Sequence, residues 1–501
     1  MKKWHKWVGL IFTFFLFMFA TSGIFLNHRR AISSVDISRS ILPSGYQYEN
    51  WNNGAVKGSF KLSPDSILLY GGNGIWLTDS LHRSFTAYTA GIKSGTDNRI
   101  VNNILTTPGN RTFAVTTFGL YELNKSTDEW TALSHLIDSR ERFTDIALAK
   151  DGALVLMTRS YVYTANEPYT HFSSRELLTP DDYKKEVSVF KTMWTLHSGE
   201  LFGMTGKIIV DLLGVVAIIL CITGLILTFC PKIIKRKRRG GKDTKADVSI
   251  FKGSLKWHNK LGAVTIILLL IVCVSGMFLR PPLLISIIRG KTKPLPGSAL
   301  DSKNPWFDKL RCLRYDTHDN VWILYSSDGF YTFETLESTP QKIRKAPMTS
   351  VMGVTVFQQQ DSVNWIVGSF SGIYLWNKES GESLNYYTGE PIAPRRPGPP
   401  TVTNAVSGFS NDFTDKRIVF EYGPGAQVLE DGKQFADMPT NMKAGRMSLW
   451  HLCLEIHVGR IYAPILGVVT DLFVFLSGVL FLIILITGYI VYRRHHRKRK
   501  Q

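Results

Sequence analysis

Four uninterrupted apolar runs, at residues 8–26, 208–229, 261–279 and about 472–491, leave this chain few ways to fold. Each is near the ~20 residues that a helix needs to cross a bilayer. The chain is therefore expected to be a membrane protein with four crossings and two long loops on one side. Lys2, Lys3 and Lys6 give the first run the basic start of a signal peptide. No small-x-small cleavage site precedes His28, however, and the same pattern recurs mid-chain, so the run is expected to stay as an anchor.

The runs are related to one another. Trp4-His5-Lys6-Trp7-Val8-Gly9 returns 253 residues later as Trp257-His258-Asn259-Lys260-Leu261-Gly262. His5/His258, Gly9/Gly262, Ser22/Ser275, Gly23/Gly276, Phe25/Phe278 and Leu26/Leu279 fall in register without a gap. A second pattern repeats before the second and fourth crossings. His197-Ser198-Gly199 and His457-Val458-Gly459 each stand 14 residues before an aspartate, Asp211 and Asp471. Thr223-Gly224 and Thr487-Gly488 then match with four extra residues in the fourth run, about one helical turn. Each half reads as helix, β loop, helix in one orientation, a parallel repeat about an axis along the membrane normal.

The charge of +19 invites a nucleic-acid reading, which fails on position. Lys2, Lys3 and Lys6, the basic stretch at 232–260 and the six cations at 493–500 supply nearly all of the excess, and all border apolar runs. Under the positive-inside rule these segments are cytoplasmic, so both termini are expected inside and the two loops outside. The basic clusters then face lipid headgroups, and no nucleic-acid partner is expected. The five cysteines do not form a disulfide framework.

Both outer loops carry short β patterns bounded by Gly, Asn, Asp and Pro. In the first, Gly74-Ile75-Trp76-Leu77, Phe118-Gly119-Leu120-Tyr121 and Ser160-Tyr161-Val162-Tyr163 recur every 40 to 45 residues, each after an apolar strand. In the second, Asp328-Gly329-Phe330-Tyr331 and Ser371-Gly372-Ile373-Tyr374 do the same, with a weaker third copy near Gly425. Such periods suggest propeller blades. Three blades per loop cannot close alone, whereas six together can, and closure removes exposed edges. One six-bladed propeller split over both loops is expected, with two separate β-sandwiches as the alternative and an extended linker at 393–400. The fold class is thus a four-helix transmembrane bundle, built as a duplicated two-helix repeat, plus an all-β extracytoplasmic domain. Its expected order is a first crossing at 1–28, about three blades at 29–192, a second crossing at 193–231 and a basic loop at 232–256. A third crossing at 257–280, about three blades at 281–448, a fourth crossing at 449–492 and a basic tail at 493–501 complete it.

No phosphate loop, carboxylate pair, nucleophile elbow or Cys-x-x-Cys knuckle is present, so no catalytic side chain is assigned. The informative residues are histidines at helix ends. His5 and His258 form an inner tier, and His28, His197 and His457 an outer one. His5 and His28 are 23 residues apart, about 34 Å along a helix. A haem iron with two protein ligands takes imidazoles from facing elements of a bundle. His5 with His258 is a symmetry-consistent pair, and Gly9 and Gly262, one turn on, would leave room for a porphyrin. The outer tier offers three histidines for two positions. The same residues also read as interfacial anchors, with the glycines serving helix packing.

Trp4-His5-Lys6-Trp7-Val8-Gly9-Leu10, with the run ending Thr21-Ser22-Gly23-Ile24-Phe25-Leu26-Asn27-His28, resembles the first helix of the PepSY-associated transmembrane proteins. Leu196-His197-Ser198-Gly199-Glu200-Leu201-Phe202-Gly203 with Thr223-Gly224-Leu225 is similar to that family's second helix. The resemblance implies an inner-membrane reductase for iron–siderophore complexes, with one or two haems in the bundle and no metal beyond haem iron. Electrons would pass from the cytoplasmic side to an extracytoplasmic ferric chelate, with His5, His28, His197, His258 and His457 as candidate haem ligands. Two features depart from the family pattern. The outer segments look like propeller blades, not small α/β PepSY domains, and Leu279-Arg280-Pro281 leaves His28 without a repeat partner. With no nicotinamide or flavin motif, the donor would be quinol or another protein. The alternative is a non-redox membrane receptor or scaffold whose propeller binds a ligand or protein; a transporter fits less well, because four helices with few intramembrane charges give little pathway.

Overall fold

A computed structural model of the chain describes residues 2–137, 140–392 and 404–500. The linker expected at 393–400 lies outside the described residues. The chain divides into two compact units, one helical (1–32, 185–302 and 449–501) and one of β-structure (33–184 and 303–448). Residues 185–192 and 281–302, expected with the β segments, belong to the helical unit.

The helices are α1 (Lys2–Asn27), α2 (Val189–Ser198), α3 (Gly203–Arg239), α4 (Lys245–Met277), the short α5 (Leu283–Ile287) and α6 (Thr440–Lys443), α7 (Leu449–His457), the short α8 (Ala463–Leu466), and α9 (Thr470–Lys500). Four of these stretches are long and apolar enough to cross a membrane. Round the helical unit α1 packs on α3, α3 on α4, α4 on α9 and α9 on α1, so α1 and α4 stand on one diagonal. Leu213, Leu269 and Leu485 meet at its centre, with Leu220, Ile266 and Phe481 around them. Apolar residues such as Ile11, Phe14, Val264 and Ile267 point outward, as a lipid-facing surface requires.

Both pre-crossing segments break at a glycine. Gly199 and Gly459 sit at φ 81° and 80°, in the left-handed region, each two residues after His197 or His457, where α2 and α7 end. A Cβ on Gly199 would lie 2.2 Å from the Gly206 carbonyl oxygen, and one on Gly459 would lie 2.4 Å from the Phe473 ring. Only glycine allows this reversal. The basic segment expected as a loop at 232–256 is mostly helix, because α3 runs to Arg239 and α4 starts at Lys245. Lys and Arg are good helix formers, and their long stems can reach a headgroup layer from a continuing helix.

Among the described residues the β-unit contains six antiparallel meanders, three from each loop. Those at 58–87, 101–132, 143–175, 310–342 and 354–385 have four strands, and the one at 406–428 has three. Their second strands are buried along most of their length, as in Ser66–Gly71, Leu154–Thr158 and Asn364–Ser369. Burial on both faces explains why the sequence there reads as continuous apolar runs and not as an alternation. The first strands of successive meanders are neighbours, and the last, Val406–Phe413, lies parallel to the first, Gly58–Ser63, with Gly58 opposite Phe409. Outside the meanders, Asp36–Ser38 pairs antiparallel with Arg446–Ser448.

Polar contacts stitch these first strands together. Asp145, 1% exposed, accepts hydrogen bonds from the Ile146 N–H (2.9 Å), Asn103 Nδ2 (3.0 Å) and the Leu313 N–H (2.9 Å), and pairs with the Arg314 guanidinium. Arg314 Nε donates to the Phe357 carbonyl (3.0 Å), and Tyr70 OH donates to Asn103 Oδ1 (3.2 Å). Thr355 Oγ1 donates to the Val406 carbonyl (2.7 Å), and the Ser59 and Ser410 hydroxyls are 2.6 Å apart. The chain of contacts thus touches every meander.

A second buried charge pair sets an acid limit on this unit. Asp316 is fully buried, and Lys378, 7% exposed in its side chain, reaches both Asp316 and Asp319. Burial alone would raise the Asp316 carboxyl, but the Lys378 ammonium and the N–H groups of His318 and Asp319 outweigh it and hold the carboxyl below its ordinary value. A depressed folded value means stability that is present above the unfolded carboxylate range, near pH 4, and lost as pH falls through the folded value. In Lys378→Met the acid-side fall in unfolding midpoint is expected to shrink or reverse, with a lower midpoint at pH 7. Parallel midpoint-against-pH curves for the two proteins would contradict this.

Candidate functional site

The helical unit brings four of the five candidate histidines together in two pairs. His5 on α1 and His258 on α4 meet across the diagonal, with ring centres 6.2 Å apart. His197 at the end of α2 and His457 at the end of α7 meet with ring centres 5.9 Å apart. Each pair takes one histidine from each half of the duplication.

Every one of the four rings is held in the same way. His457 Nδ1 lies 3.2 Å from the Phe19 carbonyl and 3.0 Å from Ser22 Oγ. His197 Nδ1 lies 2.9 Å from the Val272 carbonyl and 3.5 Å from Ser275 Oγ. His5 Nδ1 lies 3.1 Å from the Ile484 carbonyl and 3.4 Å from Thr487 Oγ1. His258 Nδ1 lies 2.9 Å from Thr223 Oγ1, with the Leu220 carbonyl as its backbone partner. The carbonyl stands three residues before the Ser or Thr each time, and the next residue is glycine. A carbonyl only accepts, so Nδ1 carries the proton and the Nε2 lone pair remains for another partner. A second ring nitrogen donating to a carbonyl is the usual support of a metal-ligating histidine.

The glycines make room for the rings. A Cβ on Gly276 would lie 2.7 Å from His197 Cε1, one on Gly488 2.8 Å from His5 Cε1, and one on Gly23 3.2 Å from His457 Cε1. On Gly224 it would lie 3.6 Å from His258 Cε1, an ordinary contact. The glycines expected to flank a porphyrin do not touch the rings. A Cβ on Gly9 meets nothing within 4 Å, and one on Gly262 only Leu220 at 3.8 Å. Gly488→Ala is therefore expected to displace His5 and lower the unfolding midpoint of the helical unit, while Gly224→Ala leaves His258 in place. Equal unfolding midpoints in the two variants would contradict the close fit of His5 at Gly488.

His28 stands apart from both pairs. Its Nε2 contacts Asp211 Oδ2 at 2.8 Å, its side chain is half exposed, and Asn27 Nδ2 donates to the other carboxylate oxygen at 3.0 Å. Arg280 occupies the repeat position of Asn27 and faces Asp471, the repeat of Asp211, at 3.5 Å. Asp211 and Asp471 thus share a place near the starts of α3 and α9, and the structure pairs His197 with His457 and leaves His28 outside that pair. Measured on α1, His5 and Ser22 are 17 residues apart, which sets the tiers about 25 Å apart along the axis. Phe19 packs on His457 (5.7 Å between ring centres), and Phe15 contacts Phe473 and Tyr462 (5.2 and 5.6 Å), so aromatic rings line the interval.

The pairs suit one kind of metal group better than another. Metal–imidazole bonds of about 2.0–2.1 Å place two rings on opposite sides of an ion with centres roughly 6 Å apart, close to both observed values. Among the described residues no group of three or more His, Cys, Asp or Glu could hold a bare ion. Two imidazoles without further protein donors among the described residues would suit a haem, whose porphyrin brings most of the iron's ligands itself.

The family model for the PepSY-associated TM region matches residues 2–495. No curated protein matches the chain. Among solved structures, the chain is similar to the extracellular domain of a hybrid two-component system from B. thetaiotaomicron, at 10% identity and a TM-score of 0.35, covering 79% of this chain and 35% of that one. It is also similar to PorZ, a surface component of the type-IX secretion system of Porphyromonas gingivalis, at 12% identity and a TM-score of 0.31, covering 75% and 31%. An ancestral GH74 enzyme follows at 8% identity and a TM-score of 0.30, covering 74% and 36%. The chain spans about a third of the length of each of these structures.

Proposed function

The chain belongs to the PepSY-associated transmembrane family, and from that premise we propose that it is a haem-binding membrane reductase that passes electrons to an extracytoplasmic ferric chelate in iron acquisition. The observation that carries the reading is the pair of bis-histidine sites, with ring centres 6.2 and 5.9 Å apart and each Nδ1 engaged by the opposite half. His5 and His258 would hold one haem and His197 and His457 a second. Haem iron supplies one-electron storage between its ferric and ferrous states. The chain's own part is to fix the imidazoles, keep Nε2 unprotonated and line the interval between the tiers with apolar and aromatic side chains.

Orientation and the form of the outer domain belong to the same proposal. The basic clusters at both termini and at 232–260 favour a cytoplasmic placement in a bacterial-type inner membrane, with His5 and His258 on the inner side. The six meanders are read as a six-bladed propeller drawn from both loops. The neighbouring first strands and the parallel pairing of the last meander with the first support this. Quinol or a protein would donate electrons to the inner pair.

The test is a turnover experiment on the purified full chain. Reduced with dithionite and freed of excess reductant, it is expected to return to its oxidised spectrum on addition of ferric citrate, with matching release of ferrous iron to a chelating dye. A reduced spectrum that persists with the ferric chelate present would contradict the proposal.

A further inference from the structure

We infer that the β-unit carries a binding site for a small carboxylate-bearing molecule in the cavity walled by Arg99 and Arg446. The cavity holds about 190 Å³ and lies beside the Asp36–Ser38/Arg446–Ser448 ribbon and the hairpin turn before Trp76. Arg99 Nε is buried and has no hydrogen-bond partner. Neither guanidinium has an ion pair among the described residues, although both line the cavity. The acidic residue in the wall, Asp36, is already engaged, because its two oxygens accept from the Thr96 N–H at 3.0 and 3.1 Å. Two arginines against one occupied carboxylate leave the cavity net cationic.

The planar fork of an arginine matches the two oxygens of a carboxylate, and two such forks line this cavity. Trp76 and Ala87 give the cavity an apolar side, and the Trp76 indole N–H is spent on the Asn73 carbonyl at 2.8 Å. That side favours an anion with a carbon skeleton over inorganic phosphate. At about 30 Å³ per water, the volume equals roughly six waters, enough for a small di- or tricarboxylate and too little for a whole siderophore. The inference does not depend on haem and stands or falls apart from the reductase reading.

The full chain in detergent is titrated at constant ionic strength with succinate and with citrate, and in parallel with phosphate and with chloride, following tryptophan fluorescence. At least one carboxylate is expected to give a saturating change that phosphate and chloride do not. Arg446→Gln is expected to weaken it about ten-fold or more, and Arg446→Lys, which keeps the charge without the fork, to fall between. Arg446 is exposed, so an unchanged unfolding midpoint checks that these variants are folded. A response shared with phosphate or chloride, no saturating response, or equal affinity in Arg446→Gln would each overturn the inference.

Discussion

On the two-haem proposal, replacing His457 with alanine is expected to remove about half of the bound haem and to stop ferric reduction, with the remaining haem still reducible. On that proposal His457 would hold the outer haem together with His197, its ring partner at 5.9 Å. His28, the third histidine of the outer tier, contacts Asp211 at 2.8 Å. His197→Ala is expected to give the same spectrum, since the two rings serve one site. Ser22→Ala removes only the hydroxyl contact and leaves the Phe19 carbonyl in place. It is therefore expected to weaken the outer haem within the 10–100-fold range of supporting residues, without abolishing binding. The double variant His197→Ala/His457→Ala should lose no more haem than either single change. Loss of all haem in a single outer variant, or none, would contradict two separate sites.

The largest effect on stability is expected from Asp145→Ala. The Asp145 carboxylate is buried and accepts from three of the six meanders, with Arg314 as its charged partner. Removing it leaves the Arg314 guanidinium uncompensated among first strands, and breaking a buried pair in this way costs about 3–5 kcal/mol. Arg314 keeps about a quarter of its side chain exposed, so the lower end of that range applies. An unfolding midpoint lower by on the order of 10 °C follows, measured by scanning calorimetry on the full chain. Asp145→Asn keeps an acceptor of the same shape and should fall between. A midpoint within about 2 °C of the parent would show that the polar contacts between meanders carry little of the unit's stability.

Much of the fold was legible because its signals are local. The apolar runs need only length and composition, and each meander is a set of hairpins whose turns and strands lie within about 30 residues. What joins the meanders is not local: Ser59 meets Ser410 across 351 positions of the chain, and no periodicity reports that contact. The site divides in the same way. His5, His197, His258 and His457 stood out as repeated histidines at helix ends. Ser22-Gly23, Ser275-Gly276, Thr223-Gly224 and Thr487-Gly488 were visible too, but only as repeat identities. Which ring each would hold depends on the helix order, since Ser22 and His457 are 435 positions apart and His5 and Thr487 are 482 apart. Nor could the sequence show that Gly23, Gly276 and Gly488 lie against the histidine rings, since those contacts also depend on the helix order. His28 already lacks a repeat partner in the sequence, and its contact with Asp211 on α3 is what the sequence could not show.

The most direct test of the two-site account is the haem content and spectrum of the full chain purified from cells supplied with haem. The account predicts two haems per chain, both six-coordinate and low-spin, with a reducible Soret band that His5→Ala and His457→Ala each diminish by about half. A colourless protein that still binds no haem on reconstitution would contradict it.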